Sequence, residues 1–206
     1  MRVLPVGPRA LLVELADEEA VLGLHAEIGR RRRAGWQESL TDVVPAACTV
    51  LLDGLDDPRG AAADLLSWPR SGGARLVLGR LVELPTVYDG ADLDEVARCW
   101  GMTRREAVAT HAGTAFHVAF CGFSPGFAYL AGLPHQLAVP RRPTPRPAVS
   151  AGTVALAGQH TGIYPRRSPG GWQLIGRTDV VLWDVDREPA ALLPPGTRVR
   201  FVEVEA

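Results

Sequence analysis

Apolar and polar residues alternate along 2–6 and 11–15, which predicts two short strands around a Gly7-Pro8 turn. Ala20, Val21, Leu24 and Ile28 then recur at helical spacing, and Asp17 stands where an N-cap belongs. Arg30 to Arg33, followed by Gly35, end that helix, since cations suit the negative end of its dipole and glycine suits the cap. A further strand is predicted over 43–52, with a proline near its start. Pro58 and 61–68 predict a second helix. This order describes a small two-layer α+β domain over residues 1–78. Pro69-Arg-Ser-Gly-Gly73 reads as a linker.

Residues 76–87 are extended in pattern, and Pro85 argues against a central strand there. Asp92 with Glu95, and Thr103 with Glu106, each match a capping box. The first opens a helix over Leu93, Val96, Ala97 and Trp100, stopped by Gly101; the second runs to about His111. Beyond it only strands and loops are predicted, at 116–121, 153–156, 172–175, 180–185 and 197–204. Eight glycines and eight prolines fall among the 51 residues from Gly122 to Trp172, near the density that signals disorder. Aromatic and β-branched residues recur throughout that stretch, so it predicts long ordered loops on a β-barrel or sandwich spanning 79–206. Such loops carry function more often than stability.

Charge changes the picture only locally. The 206 residues carry a net charge of −1, which gives no whole-protein field for nucleic acid. No apolar run reaches the ~20 residues of a membrane span. The first residues lack a secretion cleavage pattern, and Cys48, Cys99 and Cys121 are odd in number and far apart, so a reducing cytoplasm is expected. Every basic residue is arginine. Without lysine there is no Walker-type P-loop and no Schiff-base amine. From Ala107 to Thr178 there is no Asp or Glu, while Arg141, Arg142, Arg146, Arg166, Arg167 and Arg177 all lie there. The segment therefore suits a carboxylate or phosphate, unless acids elsewhere in the fold balance it.

Gly122-Phe-Ser-Pro-Gly126 fits the G-x-S-x-G nucleophile elbow in letters but not in chemistry. Half of that oxyanion hole is the N–H after the serine, and Pro125 has none. Pro125-Gly126 instead fits the corner of a β-turn. Cys121 on an apolar strand reads as an inert thiol. The prolines at 140, 143, 145 and 147 stiffen a loop that presents Arg141, Arg142 and Arg146.

Three stretches in order carry a specific resemblance: GFSPGFAYLAGLP (122–134), PRRPTPRPAVSAGTVAL (140–156) and QHTGIYPRRSPGGWQLIGRT (159–178). They closely resemble the family of bacterial 5-oxoprolinase B subunits, also called KipI-like or allophanate hydrolase subunit 1-like, with a carboxyltransferase-type domain. The match extends through the 92–111 helices and on to PPGTRVRFVEV (194–204). It implies a ferredoxin-like N-terminal domain followed by a cyclophilin-like β-barrel. It implies pairing with a homologous C subunit plus a third component, which together open 5-oxoproline to glutamate using ATP. A side branch of the family inhibits a sensor histidine kinase. His160 replaces the family's usual glutamine, and Ala115 an acidic residue, so both positions bear on substrate choice.

Within that resemblance the site residues follow by type. Histidine is the only ordinary proton shuttle in the segment, and of its four histidines His111 and His160 are the candidate catalytic groups. Arg141, Arg146 and Arg177 suit a small anionic substrate, because the guanidinium fork donates two parallel hydrogen bonds. Gly152, Gly162, Gly170 and Gly171 would let backbone amides approach it. Phe123, Phe127, Tyr164 and Trp172 supply apolar walls, and Pro125, Gly126, Gln159 and Thr161 complete the expected substrate-binding set. No metal site is built from the chain itself. A carboxylate base, and any Mg with the ATP, are expected from the partner.

Overall fold

Ala10–Glu14 (β2) buries Ala10, Leu11 and Val13, the pattern of a strand with one face on a core. It pairs antiparallel with Arg2–Pro5 (β1) on one side and Thr49–Asp53 (β4) on the other; Asp42–Pro45 (β3) completes the sheet. The computed structural model describes residues 1–68 and 79–205 and divides into two compact units, Met1–Val77 and Leu78–Ala206. The linker expected at 69–73, and residues 76–78 of the extended stretch, lie outside the described residues.

In the first unit the sheet order is β1-β2-β4-β3, all antiparallel. Glu18–Arg33 (α1) and Pro58–Ser67 (α2) place Val21, Ile28, Ala61 and Leu65 in one core with Leu11, Val13, Val50 and Leu52 of the sheet. Asp17 caps α1 through Ala20 N–H at 2.8 Å, and Asp57 caps α2 through Gly60 N–H at 3.0 Å. The strand expected over 43–52 is instead two strands. Pro45 ends β3, and Ala46 N–H bonds Thr49 O at 2.8 Å to turn the chain into β4. The unit is thus a two-layer sandwich of order ββαββα.

The second unit is a nearly closed seven-strand sheet ordered β12-β9-β10-β7-β6-β13-β5. Its strands are Leu81–Thr86 (β5), Phe116–Cys121 (β6), Ala128–Ala131 (β7), Thr153–Ala157 (β9), His160–Ile163 (β10), Gln173–Arg177 (β12) and Arg198–Glu203 (β13). Arg146–Val149 (β8) and Ser168–Gly170 (β11) form a separate antiparallel pair. The ring closes where Val87 and Arg177 exchange backbone hydrogen bonds of 2.8 and 2.9 Å. β5 ends the sheet, as Pro85 requires, and runs parallel to β13. Leu93–Trp100 (α3) and Arg104–Gly113 (α4) add Leu93, Val96 and Val108 to the barrel interior.

Three expectations need correction. The 180–185 segment is no strand: it is irregular, with only a bridge from Trp183 to Ala191. Arg187 props it by donating to the carbonyls of Val181, Leu182 and Ala190. The Gly/Pro-rich stretch is also less loop than predicted, since β7, β8, β10 and β11 lie within it. Thr103 and Glu106 do form a full capping box, but Asp92 makes no side-chain cap on α3.

Candidate functional site

Period-two alternation gives the barrel strands two different faces. Leu130, Val154, Leu156, Ile163 and Ile175 fill the interior. Their neighbours Tyr129, Ala155, Ala157 and Leu174 face a second cluster with Phe127, Val149, Tyr164 and Trp172. This outer cluster is built from edge-to-face rings. Phe127 lies 5.4 Å from Trp172, 5.5 Å from Tyr164 and 5.1 Å from Tyr129 between centroids. Tyr129 stacks on Phe120 at 4.3 Å, and His160 meets both rings at 5.6 and 5.8 Å. A Cβ on Gly162 would come within 2.7 Å of Phe127 and 2.9 Å of Trp172, and one on Gly170 within 2.0 Å of the Tyr164 hydroxyl. These two glycines make room for rings; they do not open backbone amides to an anion.

At one end of this cluster the β6–β7 connection holds Phe123 outward. Phe127 N–H bonds Ser124 O at 3.0 Å, and Gly126 has φ +83°, so Ser124 to Phe127 is the predicted turn with Pro125 and Gly126 at its corner. Before it, Ser124 N–H bonds Gly122 O at 2.7 Å across Phe123, whose φ is +66°. That is a tight three-residue turn, rare for a bulky residue. Phe123 is 59% exposed, and its ring lies 5.3 Å from that of Phe127. Ser124 Oγ is buried without a hydrogen-bond partner among the described residues, far from the arrangement of a nucleophile.

Beside the rings runs the arginine loop, residues 140–147. Arg142 Nη1 and Arg146 Nη2 both donate to Asp92 Oδ1, at 3.0 and 2.7 Å. The other oxygen, Oδ2, accepts from Leu174 N–H at 2.7 Å. Asp92 is 6% exposed. Arg142 N–H bonds Gly171 O at 2.8 Å, and Gln173 Nε2 bonds Pro140 O at 3.0 Å, so the loop is tied to the start of β12. Arg141 is exposed. Burial pushes the Tyr164 phenol pKa up, and the Trp172 backbone N–H and the charges of Arg141 and Arg146 pull it part of the way back. Arg177 is likewise balanced from upstream, donating to Asp89 Oδ2 at 2.9 Å. For Arg142, Arg146 and Arg177, the acids missing from 107–178 come from 89 and 92 of the same chain, not from another polypeptide.

The structure gathers Phe123, Phe127, Tyr164, Trp172, Gly162 and Gly170, with Arg141, Arg146 and His160 adjoining. Other expected residues fall elsewhere. His111 is in the barrel core, 1% exposed, with Nδ1 2.7 Å from Tyr88 Oη and Nε2 3.1 Å from Thr161 Oγ1. Burial lowers its pKa to about 3, so it is neutral and engaged at both nitrogens. It holds the core together and has no open path to a substrate proton. Thr161, its partner, faces the same interior. Gly152, at φ +78°, donates to Tyr164 O at 2.7 Å, and a Cβ there would meet Thr178 O at 2.2 Å. Gly152 therefore fixes a backbone crossing and offers no free amide. Gln159 is exposed at the two-residue tip between β9 and β10. Arg177, at the far end of β12, is roughly 16 Å from Trp172 by strand rise. It borders a shallow groove with Val87, Val180 and Val204. Gly171 has ordinary contacts only, beside Pro145.

Sequence reasoning missed Asp92, Tyr129 and Phe120. The signal for Asp92 was present in the long acid-free run, whose cations need a counter-charge from nearby in space. Among the described residues, no group of three or more His, Cys, Asp or Glu stands close enough to hold a metal ion. The arginines suit an oxyanion, but of the glycines expected to cradle phosphates Gly162 and Gly170 are committed to rings and Gly152 to a backbone crossing. The residues described do not fit a resident nucleotide.

A family model for the carboxyltransferase domain, subdomains C and D, matches residues 1–193, and the chain belongs to that family. Within it the chain is similar to the 5-oxoprolinase B subunit of Escherichia coli O157:H7, 37% identical over 205 residues, 96% of this chain and 93% of the relative. Among solved structures it is similar to TTHA0988, with a TM-score of 0.79 and 37% identity. That match covers 97% of the present chain but only 40% of TTHA0988. The Kluyveromyces lactis urea amidolyase shares the fold, with a TM-score of 0.72 at 19% identity, over 98% of this chain and 15% of its own. Among the described residues, no helix is long and apolar enough to cross a membrane.

Proposed function

We propose that this chain is the B subunit of an ATP-dependent 5-oxoprolinase complex, which opens 5-oxoproline to glutamate together with a homologous C subunit plus a third component. The observation that carries this reading is the similarity to a 5-oxoprolinase B subunit over nearly the whole of both chains. Curated relatives from Bacillus subtilis and Haemophilus influenzae bear the same name, which favours the enzyme over a kinase inhibitor. We also read the first unit as a ferredoxin-like layer with its first strand moved: placing β1 after α2 gives the order βαββαβ.

The site chemistry supports a small planar anion. 5-Oxoproline carries one carboxylate and a flat lactam ring. Arg141 and Arg146 provide guanidinium forks for the carboxylate, and Phe123, Tyr164 and Trp172 supply apolar surface for the ring. His160 is the histidine that adjoins this surface. Among the described residues no base carboxylate stands free there, because Asp92 already accepts three hydrogen bonds. The carboxylate base and the ATP chemistry therefore belong to the partners in this reading.

The test is reconstitution. The chain should release no glutamate from 5-oxoproline and ATP by itself, and should do so once both partners are added. Robust turnover by this polypeptide alone, or none by the complete set, overturns the reading.

A further inference from the structure

We infer that Asp92 is the positioning residue of the anion site: one buried carboxylate sets the angle of Arg146 and the course of the whole 140–147 loop. The inference rests on the anion-binding reading of Arg141 and Arg146 given above. Asp92 occupies the N-cap position of α3, where an aspartate ordinarily bonds the helix amides, yet it makes no such bond. Both its oxygens are turned to other elements. Oδ1 accepts from Arg142 and Arg146, and Oδ2 from Leu174 N–H on β12; the Asp92 backbone N–H in turn donates to Leu174 O at 2.9 Å. The carboxylate is thus held by a strand and in turn holds two arginines.

A second observation points to a ligand. After Asp92 has accepted one N–H from each arginine, Arg142 Nε and Arg146 Nη1 remain buried with no acceptor among the described residues. Buried guanidinium donors are ordinarily satisfied. Two cations share one carboxylate, so the pair keeps a surplus positive charge beside the exposed Arg141. An oxyanion drawn in beside them would supply an acceptor and the missing negative charge.

Positioning and simple charge predict opposite signs. Asp92→Asn removes a negative charge close to the bound anion, so a plain field would tighten binding. If Asp92 acts by holding Arg146, the same change loosens the fork and weakens binding. Asp92→Glu separates the two again: it keeps the charge and displaces the carboxylate by one methylene.

The experiment titrates inorganic phosphate into the full-length chain by calorimetry at low ionic strength, with thermal unfolding as a check on folding. We expect Asp92→Asn and Asp92→Glu each to weaken phosphate at least tenfold. Arg146→Ala should weaken it similarly, and Asp92→Asn in that background should cost clearly less than it does alone, since part of its effect travels through Arg146. Unchanged or tighter binding in Asp92→Asn, wild-type binding in Asp92→Glu, or fully additive losses overturns the inference while leaving the anion site standing. A wild-type chain with no saturable phosphate binding overturns both.

Discussion

His111 and Thr161 meet across the barrel interior, imidazole Nε2 3.1 Å from the threonine hydroxyl, with Tyr88 on the other ring nitrogen at 2.7 Å. A helix-end histidine in an acid-free segment resembles a proton shuttle on paper. Enclosed by Phe116 and Phe201 at 5.0 and 4.6 Å, it is a neutral polar link between α4, β10 and the stretch after β5.

The pH dependence of stability follows from that enclosure. Burial lowers the folded pKa of His111 to about 3, against an ordinary value of 6.5. Between those values the unfolded chain binds a proton that the folded chain does not, so stability falls as the pH drops from 6.5 toward 3. The limiting slope is about 1.4 kcal/mol per pH unit. His111→Gln should flatten that acid limb while lowering stability at pH 7 by roughly 1–3 kcal/mol, through imperfect bonds to Tyr88 and Thr161. Urea unfolding of both proteins from about pH 4.5 to 7.5 measures it; parallel curves would refute the assignment.

Ser124→Ala should be harmless. Its hydroxyl is buried without a partner among the described residues, and Pro125 offers no oxyanion donor. Activity of the reconstituted complex should stay within about threefold, and the melting temperature should hold or rise. A thousandfold loss, or a covalent adduct on Ser124, would restore the nucleophile elbow.

Arg141 and Arg146 should behave as a fitted pair. Replacement by alanine should cost about 1.5–3 kcal/mol each in kcat/KM of the complex, roughly ten- to a hundredfold. Lysine keeps the charge but loses the fork, so it should recover only part. Full rescue by lysine would mean a diffuse field, and unchanged kinetics in all four variants would mean a solvated loop.

Gly162→Ala should disturb the ring cluster directly. The added methyl would sit 2.7 Å from Phe127 and 2.9 Å from Trp172, both packed against further rings. A loss of about 1–3 kcal/mol in unfolding free energy and a shift in tryptophan emission are expected. Gly113→Ala is the control, since nothing lies within 4 Å of its added methyl and its backbone is outside the left-handed region. Equal losses at both positions, with no emission shift at Gly162, would refute the ring-spacer role.

Much of this architecture could be read from local pattern. The Thr103 box, the Gly101 stop at φ +66°, strand 116–121 and the Pro125-Gly126 corner each depend on residues within a turn or two of one another. What escaped was set by distance. Asp92 looks like an ordinary cap because a cap and a remote ion pair begin with the same letter; only the fold reveals that Arg142 and Arg146 lie beside it. Residues 43–52 read as one strand because Pro45-Ala-Ala-Cys48 lacks the Gly, Asn or Asp that usually marks a hairpin. The glycines of the last third read as amide donors. The pattern could not show that a phenol or an indole stood against them.

The tie from Asp92 has a consequence for transplantation. Its partners lie 50 and 54 positions downstream, beyond the two helices α3 and α4 and the strands β6 and β7. Moving residues 140–147 into a related barrel would carry the arginines but leave behind the group that orders them. Such a graft would need its upstream aspartate moved with it, so specificity here is exchanged as a discontinuous unit and not as a loop.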